Sequence, residues 1–303
     1  QTDIGVSVGL AFAPEDGQSV DQLIKAADVA LYRAKANGRG TYVRYEPAMD
    51  ADLQARQKMK ISLRQAIANG EMELHYQPLI NLYTRQVTTC EALVRWAHPE
   101  KGQVSPAEFI PIAEETGLIL PLGEWILWKA CSEAATWPSQ VSVAVNLSPL
   151  QFRDQRLPAV IADILEKTGL ESSRLQIEVT ESVLLDETDA NIQTLQEIRK
   201  LGAKIVMDDF GTGYSSLGSF DNIKGDRGFI TDLPTGKESL AIVRAVAGIG
   251  RTLGITTTVE GVETEVQLAA VNAEGFDEAQ GYLFSRPLPA AQILSLIQSS
   301  EKG

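Results

Sequence analysis

Five carboxylates in this 303-residue chain each fall where a short apolar run ends. Glu91 follows Val87-Thr88-Thr89-Cys90, and Glu178 stands in Leu175-Gln-Ile-Glu-Val. Asp208 and Asp209 close Ala203-Lys-Ile-Val-Met, and Glu260 follows Ile255-Thr-Thr-Thr-Val. Asn146 closes a sixth run, Val141-Ser-Val-Ala-Val. Two ionised carboxylates about 4 Å apart repel by roughly 4 kcal/mol at an effective dielectric near 20. Five of them on one rim therefore call for a divalent cation, and a pair of ions fits better than one. All-oxygen donors from Asp, Glu and Asn suit Mg²⁺ or Mn²⁺ rather than zinc. His75 and His98 fall outside this set and read as ordinary polar residues. Asp208 and Asp209 point to opposite faces of a strand, so they serve one site only if the strand ends between them. Gly211 and Gly213 predict that end.

Acids at strand ends, separated by helix-length segments, are how a barrel of alternating strands and helices builds a metal site at one rim. From Glu71 onward the alternation is regular. Strands are expected around Glu73–Tyr76, Val87–Val94, Val141–Asn146, Leu175–Val179, Lys204–Asp208, Asn222–Lys224, Thr256–Glu260 and Glu278–Tyr282. Helices are expected over Pro106–Glu115, Gly123–Ala135, Leu157–Thr168, Thr188–Leu201, Lys237–Leu253 and Thr264–Ala273. Only Leu79-Ile-Asn-Leu-Tyr-Thr-Arg joins the first two strands, too short for a crossover helix, so that pair is expected to be antiparallel. The fold class is thus α/β: a modified (β/α)8 TIM-like barrel with one antiparallel strand, plus an N-terminal α/β fragment. The fragment spans 1–46, a linker helix 47–60, and the barrel 61–303. In the fragment, Leu23, Ile24, Ala27, Ala30, Leu31 and Ala34 line one face of a helix over Asp21–Lys35.

Hydrophobic residues make up 44% and charged residues 22%, the balance of a soluble globular protein. No apolar run reaches the length of a membrane span, and no signal peptide opens the chain. A strand already under way at Gln1 reads as a cut from a longer protein, with a sensor or membrane anchor upstream. A net charge of −13 argues against a nucleic-acid polymer as partner. A small phosphate ligand stays compatible, because bound metal ions invert the local charge. Two cysteines, Cys90 and Cys131, form no disulfide framework and fit a cytoplasmic setting. Cys90 is expected to be a buried thiol facing away from Glu91.

Glu91-Ala92-Leu93, followed by Val94-Arg95-Trp96, resembles the signature of EAL domains, the cyclic-di-GMP phosphodiesterases. So do Tyr76-Gln77-Pro78, Ser105-Pro-Ala-Glu-Phe-Ile-Pro111, Asn146-Leu-Ser148 and Glu178-Val-Thr-Glu181-Ser. Asp208-Asp-Phe-Gly-Thr-Gly-Tyr-Ser-Ser-Leu217, Glu260-Gly-Val-Glu263-Thr and Gln280-Gly-Tyr-Leu-Phe-Ser-Arg-Pro287 complete the set. The likeness covers about residues 61–300. Ala27-Asp28-Val-Ala-Leu-Tyr-Arg-Ala-Lys35-Ala-Asn-Gly38-Arg39 resembles the C-terminal part of a GGDEF (diguanylate cyclase-like) domain, without that family's signature loop. Lys35 and Arg39 are therefore given no catalytic role.

The resemblance implies roles position by position. Glu91, Asn146, Glu178 and Asp208 resemble ligands of a first metal, and Asp208 would bridge to a second held with Asp209 and Glu260. Lys224 resembles the lysine that holds the attacking water or phosphate. Glu260 also resembles a proton acceptor, and the implied catalytic set is Glu260, Lys224 and Asp209. Gln77, Arg95, Gln280 and Pro287 resemble substrate contacts, and Glu181 an anchor for the glycine-rich loop. The implied reaction opens cyclic di-GMP to linear 5′-pGpG in bacterial second-messenger signalling, in a homodimer formed through the barrel, downstream of a sensor or GGDEF domain. Only Gly218-Ser-Phe-Asp-Asn-Ile lies between Leu217 and Lys224, several residues fewer than the family pattern, and Gly225 stands where an apolar side chain is usual. That departure bears on the placement of Lys224 and keeps a second reading open, a non-hydrolysing cyclic-di-GMP receptor. Barrel physics alone also allows an enolase-like metal enzyme, which the Asp-Asp-Phe-Gly-Thr-Gly loop and Asn146 disfavour.

Overall fold

The computed structural model describes residues 5–36, 38, 40–180, 183, 189–210 and 220–300. Internal contacts divide the chain into two compact units, Gln1–Gln65 and Ala66–Gly303. In the first, β1 (Val8–Leu10) pairs in parallel with β2 (Tyr42–Arg44), and α1 (Val20–Ala36) packs on them. Gly9 permits that packing: a Cβ there would lie 2.0 Å from the Ala27 carbonyl oxygen. The buried stripe of α1 is Ala26, Val29, Ala30 and Ala34, whereas Ile24 is 56% exposed. The expected face is thus rotated, because the helix meets the two strands along its small residues. A continuous helix, α2 (Ala48–Asn69), leads onward.

The second unit is a closed barrel. Its strands are β3 (Met72–Asn81), β4 (Val87–His98), β6 (Ser142–Asn146), β7 (Leu175–Thr180), β8 (Lys204–Phe210), β9 (Asn222–Gly225), β10 (Thr256–Val259) and β11 (Glu278–Gln280). They are hydrogen-bonded in the order β3-β11-β10-β9-β8-β7-β6-β4, and β4 returns to β3. β3 is antiparallel to both neighbours, and the other ring pairings are parallel. Two short strands extend the sheet: β5 (Gly102–Val104) on β4, and β12 (Leu288–Pro289) on β3. The described α-helices of this unit are α3 (Pro106–Thr116), α4 (Ile119–Ala134), α5 (Pro149–Phe152), α6 (Leu157–Thr168), α7 (Asp189–Lys200), α8 (Lys237–Leu253), α9 (Glu265–Glu274) and α10 (Ala290–Ser300). Their ends obey local chemistry. Gly117, Gly169, Gly254 and Gly275 take left-handed caps, and Thr264 with Gln267 forms a capping box on α9. No described helix is long and apolar enough to cross a membrane.

Strand alternation sorts the barrel residues into two classes. Val143, Val145, Ile177, Val179, Ile205, Met207, Ile223 and Val259 are buried on the outer side, under the helices. The lumen, which apolar branched side chains usually fill in such barrels, is polar here. On five strands the inward residues form two tiers two positions apart: Thr89 and Glu91, Gln176 and Glu178, Asn222 and Lys224, Thr258 and Glu260, Glu278 and Gln280. All but Glu260 are buried.

Candidate active site

β8 does not end at Asp208, as the two following glycines suggested; it runs to Phe210. Its pairing with β9 becomes irregular between Met207 and Phe210. Glu91 likewise lies inside a long strand. The β4–β6 ladder stops at Ala92, after which β4 continues against β3 and β5.

Lys224 is the hub of the upper tier. It is fully buried on β9, its Nζ 2.5 Å from Glu260 Oε1, 3.0 Å from Glu178 Oε1, 3.5 Å from Glu91 Oε2 and 3.9 Å from Asp208 Oδ1. These are charge contacts; the ammonium and both Glu178 oxygens lack a well-directed hydrogen bond. Glu91 is clamped instead: Asn146 Nδ2 donates to one oxygen and Gln280 Nε2 to the other, each at 2.7 Å.

The electrostatics follow from one cation among four acids. Burial pushes Glu91 upward, but the Lys224 ammonium and the amides of Gln280 and Asn146 outweigh it and hold its carboxyl low. Glu178 has no such donors. Burial carries it well above the usual carboxylate range, Lys224 opposing and the neighbouring acids reinforcing. Burial, eased by Lys224 and reinforced by Glu91 and Asp208, raises Glu260 to about 7. Burial works against the charged form of Lys224, yet the surrounding carboxylates, Glu178 foremost, raise it well above its ordinary value.

The cluster opens into a cavity of about 260 Å³ lined by Gln77, Glu91, Glu260 and Gln280 together with Arg227, Glu263 and Tyr282. Gln77 Nε2 donates to the Ser285 carbonyl, tying β3 to the segment after β11. Of the expected site residues, Glu91, Asn146, Glu178, Asp208, Lys224, Glu260 and Gln280 come together. Arg95 and Pro287 do not line this cavity; the Arg95 guanidinium donates to Val94 O at 2.9 Å. Glu181, the Asp209 side chain and the glycine-rich loop lie outside the described residues. Sequence reasoning gave no role to Arg227, Glu263 or Tyr282. Arg227 pairs with Glu263 at 3.2 Å, and its stem packs where a Cβ on Gly261 would stand. Proximity of Glu263 to Glu260 was the available signal.

The shortened approach to Lys224 leaves that residue in a barrel strand. A Cβ at Gly225 would make only ordinary contact, 3.7 Å from Phe229 and from the Thr258 carbonyl, so packing there does not require glycine. Cys90 and Cys131 are buried free thiols, both pushed upward by burial.

The fit to a divalent ion is chemical. Two buried Glu178 oxygens without hydrogen-bond donors, beside three further acids, form a hard oxygen donor set. Among the described residues, however, no group of three or more His, Cys, Asp or Glu is arranged to hold an ion. The ammonium stands among the acids instead.

The EAL domain family model matches residues 61–287. The chain belongs to the EAL family. A second model, diguanylate cyclase GGDEF domain, matches residues 1–41, so the EAL barrel follows a GGDEF fragment. The chain is 67% identical to uncharacterized protein y4lL of Sinorhizobium fredii over 98% of its length. It is 40% identical, over 97%, to the bifunctional diguanylate cyclase/cyclic di-GMP phosphodiesterase MucR of Pseudomonas aeruginosa. To the cyclic di-GMP phosphodiesterase PdeR of Escherichia coli it is 37% identical over 94%. It spans 36%, 44% and 44% of those relatives' lengths. Among solved structures, the EAL barrel resembles the PaMucR phosphodiesterase in complex with c-di-GMP. The TM-score is 0.75 at 40% identity, covering 78% of this chain and all of that one.

Proposed function

We propose that the EAL barrel hydrolyses one phosphodiester of cyclic di-GMP to linear 5′-pGpG with the help of divalent ions, Mg²⁺ or Mn²⁺. The observation that carries this reading is the buried lysine among four carboxylates at the floor of an open cavity. The names of MucR and PdeR and the c-di-GMP complex of a solved relative support the substrate. Glu91, Asn146, Glu178, Asp208, Asp209 and Glu260 would hold the ions. Bound there, the ions would lower the pKa of an attacking water and neutralise charge on the phosphate.

The chain's own residues supply the rest. Gln280 and Asn146 fix the Glu91 carboxylate, so that its orientation need not be set during reaction. Lys224 supplies positive charge to the water or to the phosphate oxygens. Glu260, raised to about 7 and a quarter exposed, is matched to accept a proton near neutral pH. Gln77 and Gln280 face the cavity and would contact the nucleotide, with Arg95 and Pro287 further out and Glu181 anchoring the loop. A homodimer through the barrel is part of this reading, checked by sedimentation.

Separation of linear from cyclic dinucleotide after incubation with Mg²⁺ or Mn²⁺ tests the proposal: product that disappears on chelation supports it. Binding without product favours the second reading, a cyclic-di-GMP receptor. The short segment between Leu217 and Lys224 is what keeps that alternative in play.

A further inference from the structure

Beneath the charged tier lies a carboxylate that the reaction does not use. Glu278, 8% exposed, accepts hydrogen bonds from Thr88 Oγ1 at 2.7 Å, Thr258 Oγ1 at 3.0 Å and Asn222 Nδ2 at 3.4 Å. Asn222 also donates to Thr258 Oγ1 at 3.0 Å. A buried acid satisfied by neutral groups alone carries a desolvation penalty that an apolar side chain would avoid, so stability by itself does not account for it. Its partners do. Thr88, Asn222, Thr258 and Glu278 sit on β4, β9, β10 and β11, the strands that carry Glu91, Lys224 and Gln280 and, one residue past the end of β10, Glu260. Asn222, Thr258 and Glu278 each precede the site residue of their strand by two positions. Thr88 precedes Glu91 by three, beside the slip in β3–β4 register at Leu79/Ile80. Thr258 is also the direct lateral partner of both Lys224 and Glu278.

We infer that Glu278 is a positioning residue: through Thr88, Asn222 and Thr258 it sets the lateral spacing of the strands from which Lys224, Glu260, Glu91 and Gln280 project. The inference rests on the phosphodiesterase reading above. A misplacement of about 1 Å among reacting groups costs on the order of 10²-fold in rate, and this network governs displacements of that size.

The test compares four variants of the full chain for kcat, KM and thermal unfolding. Glu278→Ala is expected to lower kcat by about tenfold or more with KM within about twofold. Glu278→Gln keeps the length of the side chain and faces hydroxyls that can reverse their bonds, and it is expected to restore most of kcat. Thr258→Val keeps shape and strand preference and decides the matter if the alanine variant fails to fold. It is expected to lower kcat several-fold. Asp277→Ala is the control: Asp277 joins the same two strands by accepting from Thr257 N at 2.8 Å and Oγ1 at 3.0 Å. It should lower the melting temperature while leaving kcat near wild type. Wild-type kcat in both Glu278→Ala and Thr258→Val overturns the inference alone, as does an equal loss of kcat in Asp277→Ala, which would signal general loosening. A wild-type chain without turnover sinks the phosphodiesterase reading, and this inference with it.

Discussion

The two tiers of the lumen solve the burial of polar atoms in opposite ways. In the lower tier, Gln176 meets Thr89 at 3.0 Å, and Glu278 is ringed by three donors. In the upper tier, four acids share one ammonium, and neither carboxylate oxygen of Glu178 has a well-directed hydrogen bond. In the lower arrangement the buried polar groups find hydrogen-bond partners. The upper one retains electrostatic tension, which is expected where charge must be offered to a ligand. Positioning and the offering of charge are thus separated along the same strands by two residues.

The contrast is most severely tested at Lys224. Lys224→Ala removes the cation that four acids share, so at pH 8 without metal the barrel should lose about 3–5 kcal/mol in urea unfolding. Turnover should fall by roughly 10²–10³-fold; unchanged stability would mean that the acids simply take up protons. Glu178→Gln should act in the reverse sense on stability. Turnover is lost, yet the metal-free protein gains on the order of 1 kcal/mol, because one repelling charge goes; a lower melting temperature at pH 8 would contradict the tension assigned to this tier.

The pH dependence sharpens the same point. Glu260 ionises at about 7 when folded and near 4.5 otherwise. Between those values the folded chain keeps a proton that the unfolded chain has released, so stability falls as pH rises through this window. Glu178, shifted in the same direction, extends the fall upward. Glu91 and Lys224 do not oppose it there: the contribution of Glu91 is lost only as pH drops below the ordinary carboxylate range, and that of Lys224 only at strongly alkaline pH. Calorimetric melting from pH 4.5 to 8 should show the decline, and Mg²⁺ should flatten it. The lower tier should show no such pH dependence. Thr89→Val strands the Gln176 amide and should cost about 1–3 kcal/mol, by the same amount at pH 5 and pH 8.

The barrel was legible in the sequence because its outer strand faces are apolar and its helices end on glycines. The reversed strand was legible from a link too short to cross over. Of the seven residues that meet in the upper tier, the four acids and Asn146 were legible at the ends of those runs, and Lys224 and Gln280 only through the resemblance to the EAL motifs. Several features were not. The aspartate pair looked like a strand end because two glycines follow it, whereas β8 runs on to Phe210 through a slip of register. α5 and β12 are too short to carry periodicity, and α10 was not anticipated. Nor does one-dimensional order reveal that Lys224 stands among the acids or that Arg227 and Tyr282 reach the cavity; those relations arise only when the ring closes.

That closure has its own timing. β3 finds β4 across a short turn, but its other edge waits for β11, and the amide that latches Glu91 is 189 residues away along the chain. Contacts so distant form only after the entropy of a long loop has been surrendered. Sealing the cylinder and latching the carboxylate are consequently a single late step. The last stave thus closes the cylinder and brings Glu91 its second amide together.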